Sequence, residues 1–561
     1  MSMDTIGRRP GRDAANNVIS FLDVHGRETP GRPALLWHPP RAVAAWLADR
    51  SSPLRHDAMT YGELLTRTTA VAAGLRRLGL RSGDRVFLFV PMSAELYVAM
   101  FAIERVGAIA VFLDSWARRD QLGHCIRLTE PSAFIALEKA WAYVADVPEM
   151  RSAGMRVVVG PHQGAYAASL DDLGKETGDS PIESKAADDT ALITFTTGSS
   201  GVPKGANRTH AFLASQHRAI DRCLPYGDSD VDLPTFPIFA LNDMAGGVTT
   251  LLPAVDLARP AATDGRVLAA QIRAVGVTCA TLSPSLLLAV ARAAIEEEVD
   301  EAPPLASLRR VATGGAPVSR DDVALFRRAA PEAELHILYG STEIEPIAHL
   351  EASEMPEETG EEGVCVGRIA EGLGHRLLRL HHGPIECGPD GWRGLDVPRG
   401  EVGELAVSGE HVCRDYYRND EAFRANKIVD GEGAVWHRTG DLCRIDAEGR
   451  IWLVGRVHNA ILRGGRMLFP VRPEVTMKRL PFVRAAAYIG LPDAALGERA
   501  VAAFSVRPGE PRADFAALVR AALEAESLPA DEVVEVDEIP LDPRHHSKVE
   551  VQRLRAMLEA R

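Results

Sequence analysis

From Thr60 to Leu113 the chain switches between helical and strand-like stretches in a regular rhythm, and nothing else in the sequence constrains the fold as tightly. Tyr61-Gly62-Glu63-Leu64 leads into an Ala- and Leu-rich helix ending near Leu80, Gly83-Asp84 makes a turn, and Arg85 to Val90 reads as a strand. A second helix over Ala94 to Val106 follows, and then the apolar run Ala108 to Leu113. Strands separated by helices join through crossovers, so the expectation is a βαβ arrangement with a parallel sheet. Ahead of this region residues 1–58 read as irregular, because Pro39, Pro40 and Pro53 break any long element.

At 561 residues the chain is too long for one core, so two or more domains are expected. Its 46% hydrophobic and 25% charged residues place it in the globular class. A net charge of −14 argues against a nucleic-acid partner or an anionic membrane surface. No apolar run has the length of a membrane span, and no secretory signal is visible, so the expected location is cytoplasmic. The seven cysteines are scattered, odd in number and lack a C-x-x-C pair, which suits reduced thiols and not a disulfide frame or zinc site. Only 7 of the 63 basic residues are lysine, the other 56 being arginine, so a lysine inside a motif carries unusual weight.

Residues Ile193 to Asn207 combine a β-branched and aromatic run with a loop of hydroxyls and glycines, Thr196-Thr197-Gly198-Ser199-Ser200-Gly201-Val202-Pro203-Lys204-Gly205. Glycines let the backbone bring N–H groups close to an anion, the hydroxyls add donors and Lys204 adds positive charge, so the composition suits a polyphosphate. A Ser- and Gly-rich stretch with one lysine also describes a solvated linker. It is not a Walker A loop, since Lys204 follows Pro203 and precedes Gly205. The complete string resembles the phosphate-binding loop of the adenylate-forming superfamily, which contains acyl-CoA synthetases, peptide-synthetase adenylation domains and luciferases.

Four more motifs follow in that superfamily's order, and the resemblance as a whole covers roughly Thr60 to Val549. The resemblance implies that Gly314-Gly315-Ala316-Pro317 forms the turn against which the adenine lies. In Tyr339-Gly340-Ser341-Thr342-Glu343 it implies adenine stacking by Tyr339, an α-phosphate contact from Thr342 and a Mg²⁺ ligand in Glu343; a hard cation with phosphate ligands suits a single carboxylate. Asp441 would accept hydrogen bonds from the ribose hydroxyls, with Arg456 beside it. Lys548 matches the lysine that enters the active site during adenylation. The implied fold is α/β: a large N-terminal domain, residues 1–457, of mixed sheets, helices and a β-rich, barrel-like subdomain, then a small mobile α+β domain, residues 458–561, carrying Lys548. His210 is read as a plain polar contact at a helix start, and the His545-His546 pair lacks a third metal ligand.

The implied chemistry is activation of a small-molecule carboxylic acid by ATP and Mg²⁺ through an acyl-adenylate. Three departures bear on the second step. Ala240, in Phe236-Pro237-Ile238-Phe239-Ala240-Leu241, stands where acyl-CoA synthetases carry His or an aromatic; His458 replaces the usual hinge Asp or Lys; and Arg472 stands where an acid is common. With Asp256 to Ala261 and Arg544-His545-His546-Ser547-Lys548, these variants look closest to the β-lactone synthetases of olefin biosynthesis. Closure of a 3-hydroxy acid to a β-lactone is therefore the first expectation. Transfer to CoA is the alternative, and a non-catalytic acyl-binding homologue the third reading. Chain length and oligomeric state leave no mark in the sequence.

Overall fold

The computed structural model describes residues 17–112, 119–144, 146–152, 154–197, 202–257, 263–297, 303–356, 363–388, 390–511, 513–541 and 549–560. Gly198, Ser199, Ser200, Gly201, Lys548 and the pair His545-His546 lie outside them, as does most of the stretch from Asp256 to Ala261. The chain forms two compact units, Met1–Ala254 with Asp415–Asp420 and Val255–Arg414 with Glu421–Arg561.

In the first unit a seven-stranded sheet runs in the order Ala168–Ser169, Met155–Val159, Ala133–Leu137, Arg85–Phe89, Ile109–Phe112, Thr190–Thr197 and Pro203–Thr209. All its neighbours are parallel except the last pair, which is an antiparallel hairpin. The βαβ expectation therefore holds, with helices Tyr61–Arg77 and Ala94–Val106 where the periodicity put them. Thr60 and Glu63 form a capping box at the start of the first helix. Ser93 caps the second, and Gly107 ends it in the left-handed region. That second helix is buried almost all round and packs Tyr97, Phe101 and Ile103 into a core with Leu22, Leu35, Val71, Leu75 and Met244.

The reading of residues 1–58 as irregular is corrected by the structure. They contain helices Ser20–Glu28 and Pro40–Ala48 and strands Pro33–Trp37 and Asp57–Thr60. Of the prolines read as breakers, Pro39 caps and Pro40 starts a helix, and only Pro53 lies between elements. Pro40 occupies the first turn of its helix, where no N–H is needed, and Pro33 opens its strand. The strand Pro33–Trp37 pairs in parallel with Thr249–Leu251, which pairs with Val231–Pro234.

In the second unit three parallel strands, Cys279–Leu282, Arg310–Gly314 and Glu334–Ser341, continue into an antiparallel run. Its order is Ile344–Glu351, Val364–Ile369, Arg450–Arg456, Val435–Ile445, Gly403–Ser408 and Gly374–Leu378. The β-rich region is thus a continuation of the same sheet; its described strands follow one line, without the closing pair a barrel needs. A separate five-stranded sheet centres on Val483–Asp493 and Gly497–Val506. Ala486 and Tyr488 on one face join the core under helix Phe515–Ala525, while Ala487 and Ile489 on the other meet Leu554 and Leu558 of helix Val551–Glu559. Both faces are covered, which is why these strands are apolar without alternation.

One buried acid sets a pH dependence. Glu104 is 4% exposed on helix Ala94–Val106, its Oε2 has no hydrogen-bond partner, and burial pushes its carboxyl up to about 8. A carboxyl raised in the folded state is fully stabilising below its unfolded value of 4.5, and that contribution is lost as pH rises through about 8. Glu104→Gln is expected to flatten the fall in unfolding midpoint between pH 5 and 8, an effect of a few kcal/mol. Parallel profiles for the two proteins would show that Glu104 does not titrate there.

Candidate active site

The described ends of the glycine-hydroxyl string are paired strands. Its first strand ends at Thr197 and its return strand begins at Pro203, with Thr196 opposite Lys204 and Thr197 opposite Pro203. Lys204 therefore sits in paired backbone. The segment from Asp415 to Tyr417 runs alongside: Asn207 N donates to Asp415 O, Tyr417 N donates to Gly205 O, and Ala206 bridges Tyr416. The Lys204 ammonium lies 5.8 Å from the centre of the Tyr416 ring, within cation–π range. Gly205 is tight, since a Cβ there would stand 2.9 Å from the Ile193 side chain.

His210 makes a polar contact at its helix start. Its Nδ1 accepts from Val18 N at 3.1 Å, and burial lowers the imidazole to about 4, which keeps that lone pair free of a proton. Ala240 is fully buried on helix Pro237–Ala245. Further along, Asp243 shares a hydrogen bond with Asp232 of the strand Val231–Pro234. Burial raises both carboxyls.

In the second unit the motif residues converge. Tyr339 is buried, and its hydroxyl donates to Asp441 Oδ2 at 2.6 Å. Arg456 Nε donates to Asp441 Oδ1 at 2.9 Å. Strand register produces this group, since Asp441 and Arg456 are directly opposed across Val435–Ile445 and Arg450–Arg456. The Asp441 carboxylate raises Arg456 further, and Glu343 also contributes, which places Glu343 within electrostatic range of the same guanidinium. Burial first, and then Asp441, hold the Tyr339 phenol protonated. Asp441 N donates to Thr439 Oγ1, fixing the turn before it.

Gly340 and Ser341 close the strand Glu334–Ser341, and Thr342 and Glu343 form the tip between it and Ile344–Glu351. Gly314 ends the neighbouring strand, where a Cβ would meet Leu338 O at 2.2 Å. Gly315 turns with φ +87°, leading through Ala316 and Pro317 to Ser319, which caps helix Arg320–Ala329. Thr313 Oγ1 and Ser341 Oγ are buried without hydrogen-bond partners on these adjacent strands. Unpaired hydroxyls beside a buried phenol, a carboxylate and a guanidinium offer donors and acceptors of the kind a nucleotide uses.

His458 follows in a short 3₁₀ turn, and burial, with Arg456 next, lowers it to about 4, so it is neutral at physiological pH. Arg472 pairs with Glu526 at 3.3 Å in the wall of a cavity of about 290 Å³ that Arg320, Arg479 and Trp452 also line. No cluster of three or more His, Cys, Asp or Glu able to hold a metal occurs among the described residues. Sequence reasoning missed Tyr416, Asp232 and Asp243. Tyr416 gave no signal, because its meeting with Lys204 depends on strand pairing across 212 positions (416 minus 204).

The AMP-binding enzyme family matches residues 22–417, well over half of the chain. The chain belongs to that family. Within it, this AMP-binding enzyme is 33% identical to the olefin beta-lactone synthetase of Xanthomonas campestris over 88% of its own length and 90% of the relative's. It is 31% identical to the olefin beta-lactone synthetase of Stenotrophomonas maltophilia over 96% and 97%. The feruloyl-CoA synthase of an Amycolatopsis species is 29% identical over 81% and 85%. The fold matches the anthranilate CoA ligase AuaEII, in complex with anthranoyl-AMP, with TM-score 0.78 and 20% identity over 97% and 98% of the two chains. The AMP-binding enzyme is thus an adenylate-forming ligase or synthetase. None of its described helices is long and apolar enough to cross a membrane.

Proposed function

We propose that this enzyme activates a 3-hydroxy fatty acid with ATP and then closes the acyl-adenylate to a β-lactone, releasing AMP. The observation that carries this reading is the match to two olefin beta-lactone synthetases over 88% and 96% of the chain. In the first step a carboxylate oxygen bonds to the α-phosphorus and pyrophosphate leaves. In the second the 3-hydroxyl oxygen bonds to the acyl carbon, the acyl–phosphate C–O bond breaks, AMP departs and the hydroxyl proton is released. No outside acceptor is needed, which fits Ala240, His458 and Arg472 at positions where a CoA ligase would accommodate its thiol. The match to a feruloyl-CoA synthase supports transfer to CoA as the second reading.

The roles follow the motifs. Thr196, Thr197, Gly198, Ser199, Ser200, Gly201 and Lys204 bind phosphates. Gly314 to Pro317 and Tyr339 to Ser341 hold the base, Thr342 the α-phosphate, and Asp441 with Arg456 the ribose. Residues 458–561 act as a lid whose Lys548 offsets charge on the phosphates. Glu343 suits Mg²⁺, which takes one or two carboxylates and completes its shell with water and phosphate oxygens; bound there, the ion would neutralise phosphate charge. The seven cysteines, none of them in a disulfide, are consistent with a reducing, cytoplasmic setting.

Mass spectrometry of the products from a 3-hydroxy fatty acid and ATP, with and without CoA, tests the reading. The expected result is lactone and AMP without CoA, and a stalled adenylate from an acid lacking the hydroxyl. Rapid CoA-thioester formation from the plain acid, with no lactone from its 3-hydroxy analogue, would overturn it. Glu343→Gln is expected to raise the Mg²⁺ requirement of ATP–pyrophosphate exchange by about tenfold or more, since an amide lacks the charge a hard cation prefers. Wild-type rate and metal dependence in that variant would move the ligand elsewhere.

A further inference from the structure

Glu343 stands at a hairpin tip, where the last ladder pair is Ser341 with Ile344 and the two tip residues take no part in strand pairing. The backbone around that tip is instead held from outside by residues His411 to Cys413. His411 Nε2 is 3.0 Å from Pro346 O, Val412 bridges Ile344, and Cys413 N donates to Glu343 O at 2.8 Å. The carbonyl of the same residue, on the far side of its Cα, is gripped in turn, because the Lys427 ammonium donates to Cys413 O. Lys427 is 2% exposed and opens the strand Lys427–Val429, where it faces His437 of the strand that also carries Asp441.

A buried ammonium is costly to desolvate, and a backbone carbonyl could be satisfied by a neutral donor. The chain also uses arginine for 56 of its 63 basic residues. A lysine here therefore stands out, a compact ammonium at a buried position in a chain whose usual cation is a planar guanidinium. We infer that Lys427 is a positioning residue for Glu343, its ammonium holding the carbonyl of Cys413, the residue whose N–H fixes the backbone of the cation ligand. The inference rests on Glu343 as that ligand. Its chemistry is that of an outer-shell support, which orients a metal ligand without touching the metal. Nothing in the local motif announces it, since Lys427 lies 84 positions after Glu343 (427 minus 343) and meets it through a third segment.

The test uses the full chain as wild type, Lys427→Met, Glu343→Gln and the double variant. Two quantities are measured: the Mg²⁺ concentration that half-saturates ATP–pyrophosphate exchange, and the Mg²⁺ concentration at which ATP half-maximally raises the unfolding midpoint, which requires no turnover. Lys427→Met is expected to raise both about tenfold, and the double variant to match Glu343→Gln alone. A role in packing only would lower the midpoint of the ligand-free protein and leave both Mg²⁺ values unchanged, which overturns the inference, as would independent effects of the two substitutions. If Glu343→Gln itself leaves the Mg²⁺ values unchanged, the assignment of Glu343 fails and takes this inference with it. Lys427→Gln, polar but one bond too short for its amide to reach Cys413 O, repeats the measurement should the methionine variant fail to fold; a Mg²⁺ requirement unchanged from wild type in that protein also counts against the inference.

Discussion

Asp441→Ala is expected to lower ATP–pyrophosphate exchange by about 10² to 10³ and to raise the KM for ATP in parallel. A carboxylate has about four lone-pair sites, and Tyr339 and Arg456 occupy one on each oxygen, leaving two for the ribose hydroxyls. Hydrogen bonds to a charged acceptor are worth roughly 1.5 to 3 kcal/mol each, so losing two gives at least that factor. The alanine also leaves the buried Tyr339 hydroxyl without its acceptor, at a cost of about 1 to 3 kcal/mol in stability. Asp441→Asn separates the two losses, because the amide oxygen can still accept from Tyr339 while the charge facing Arg456 is gone. The unfolding midpoint should then recover while the KM remains high. An alanine variant that folds and keeps the wild-type KM for ATP would remove Asp441 from the nucleotide site.

Lys548→Ala is expected to abolish adenylation, by roughly 10² to 10³ or more in exchange rate, with circular dichroism and unfolding midpoint unchanged. The size follows from what one preorganised cation contributes where charge develops on phosphate oxygens in a water-poor site, about 3 to 4 kcal/mol of barrier. Arginine serves as the chain's general cation, so Lys548→Arg is expected to rescue only weakly, a compact ammonium being what the position selects. Unchanged exchange in the alanine variant would refute the assignment. Full rescue by arginine would show that charge alone is required.

Much of the scaffold was legible because its signals are local. Helices Tyr61–Arg77 and Ala94–Val106 carry their periodicity and their caps within a few residues, and the parallel sheet follows from the strands between them. Prolines misled at the N-terminus, since a proline that starts an element and one that breaks it look alike until the pairing partner is known. The return strand Pro203–Thr209 was hidden for a different reason. Pro-Lys-Gly-Ala-Asn has little strand preference of its own, and its pairing with Thr190–Thr197 decides its conformation. At the site the motifs set Arg456 beside Asp441, and strand register puts them opposite each other; the Tyr339–Asp441 hydrogen bond joins a residue that the motifs assigned separately to the base. Contacts built from three separated segments, such as Lys427 with Cys413 and Glu343, or Lys204 with Tyr416, leave no pattern in any window of sequence.

The hairpin that presents Lys204 also limits how this stretch can change in length. Side chains alternate faces along a strand, so inserting or deleting one residue within Pro203–Thr209 would turn Lys204 to the opposite face or shift its register against Thr196. Residues added between Thr197 and Pro203 would leave that pairing intact. Single-residue deletions within 190–197 or 203–209 are therefore expected to lower the unfolding midpoint together with exchange activity, whereas deletions between Thr197 and Pro203 would leave the midpoint unchanged and remove only the phosphate donors proposed there.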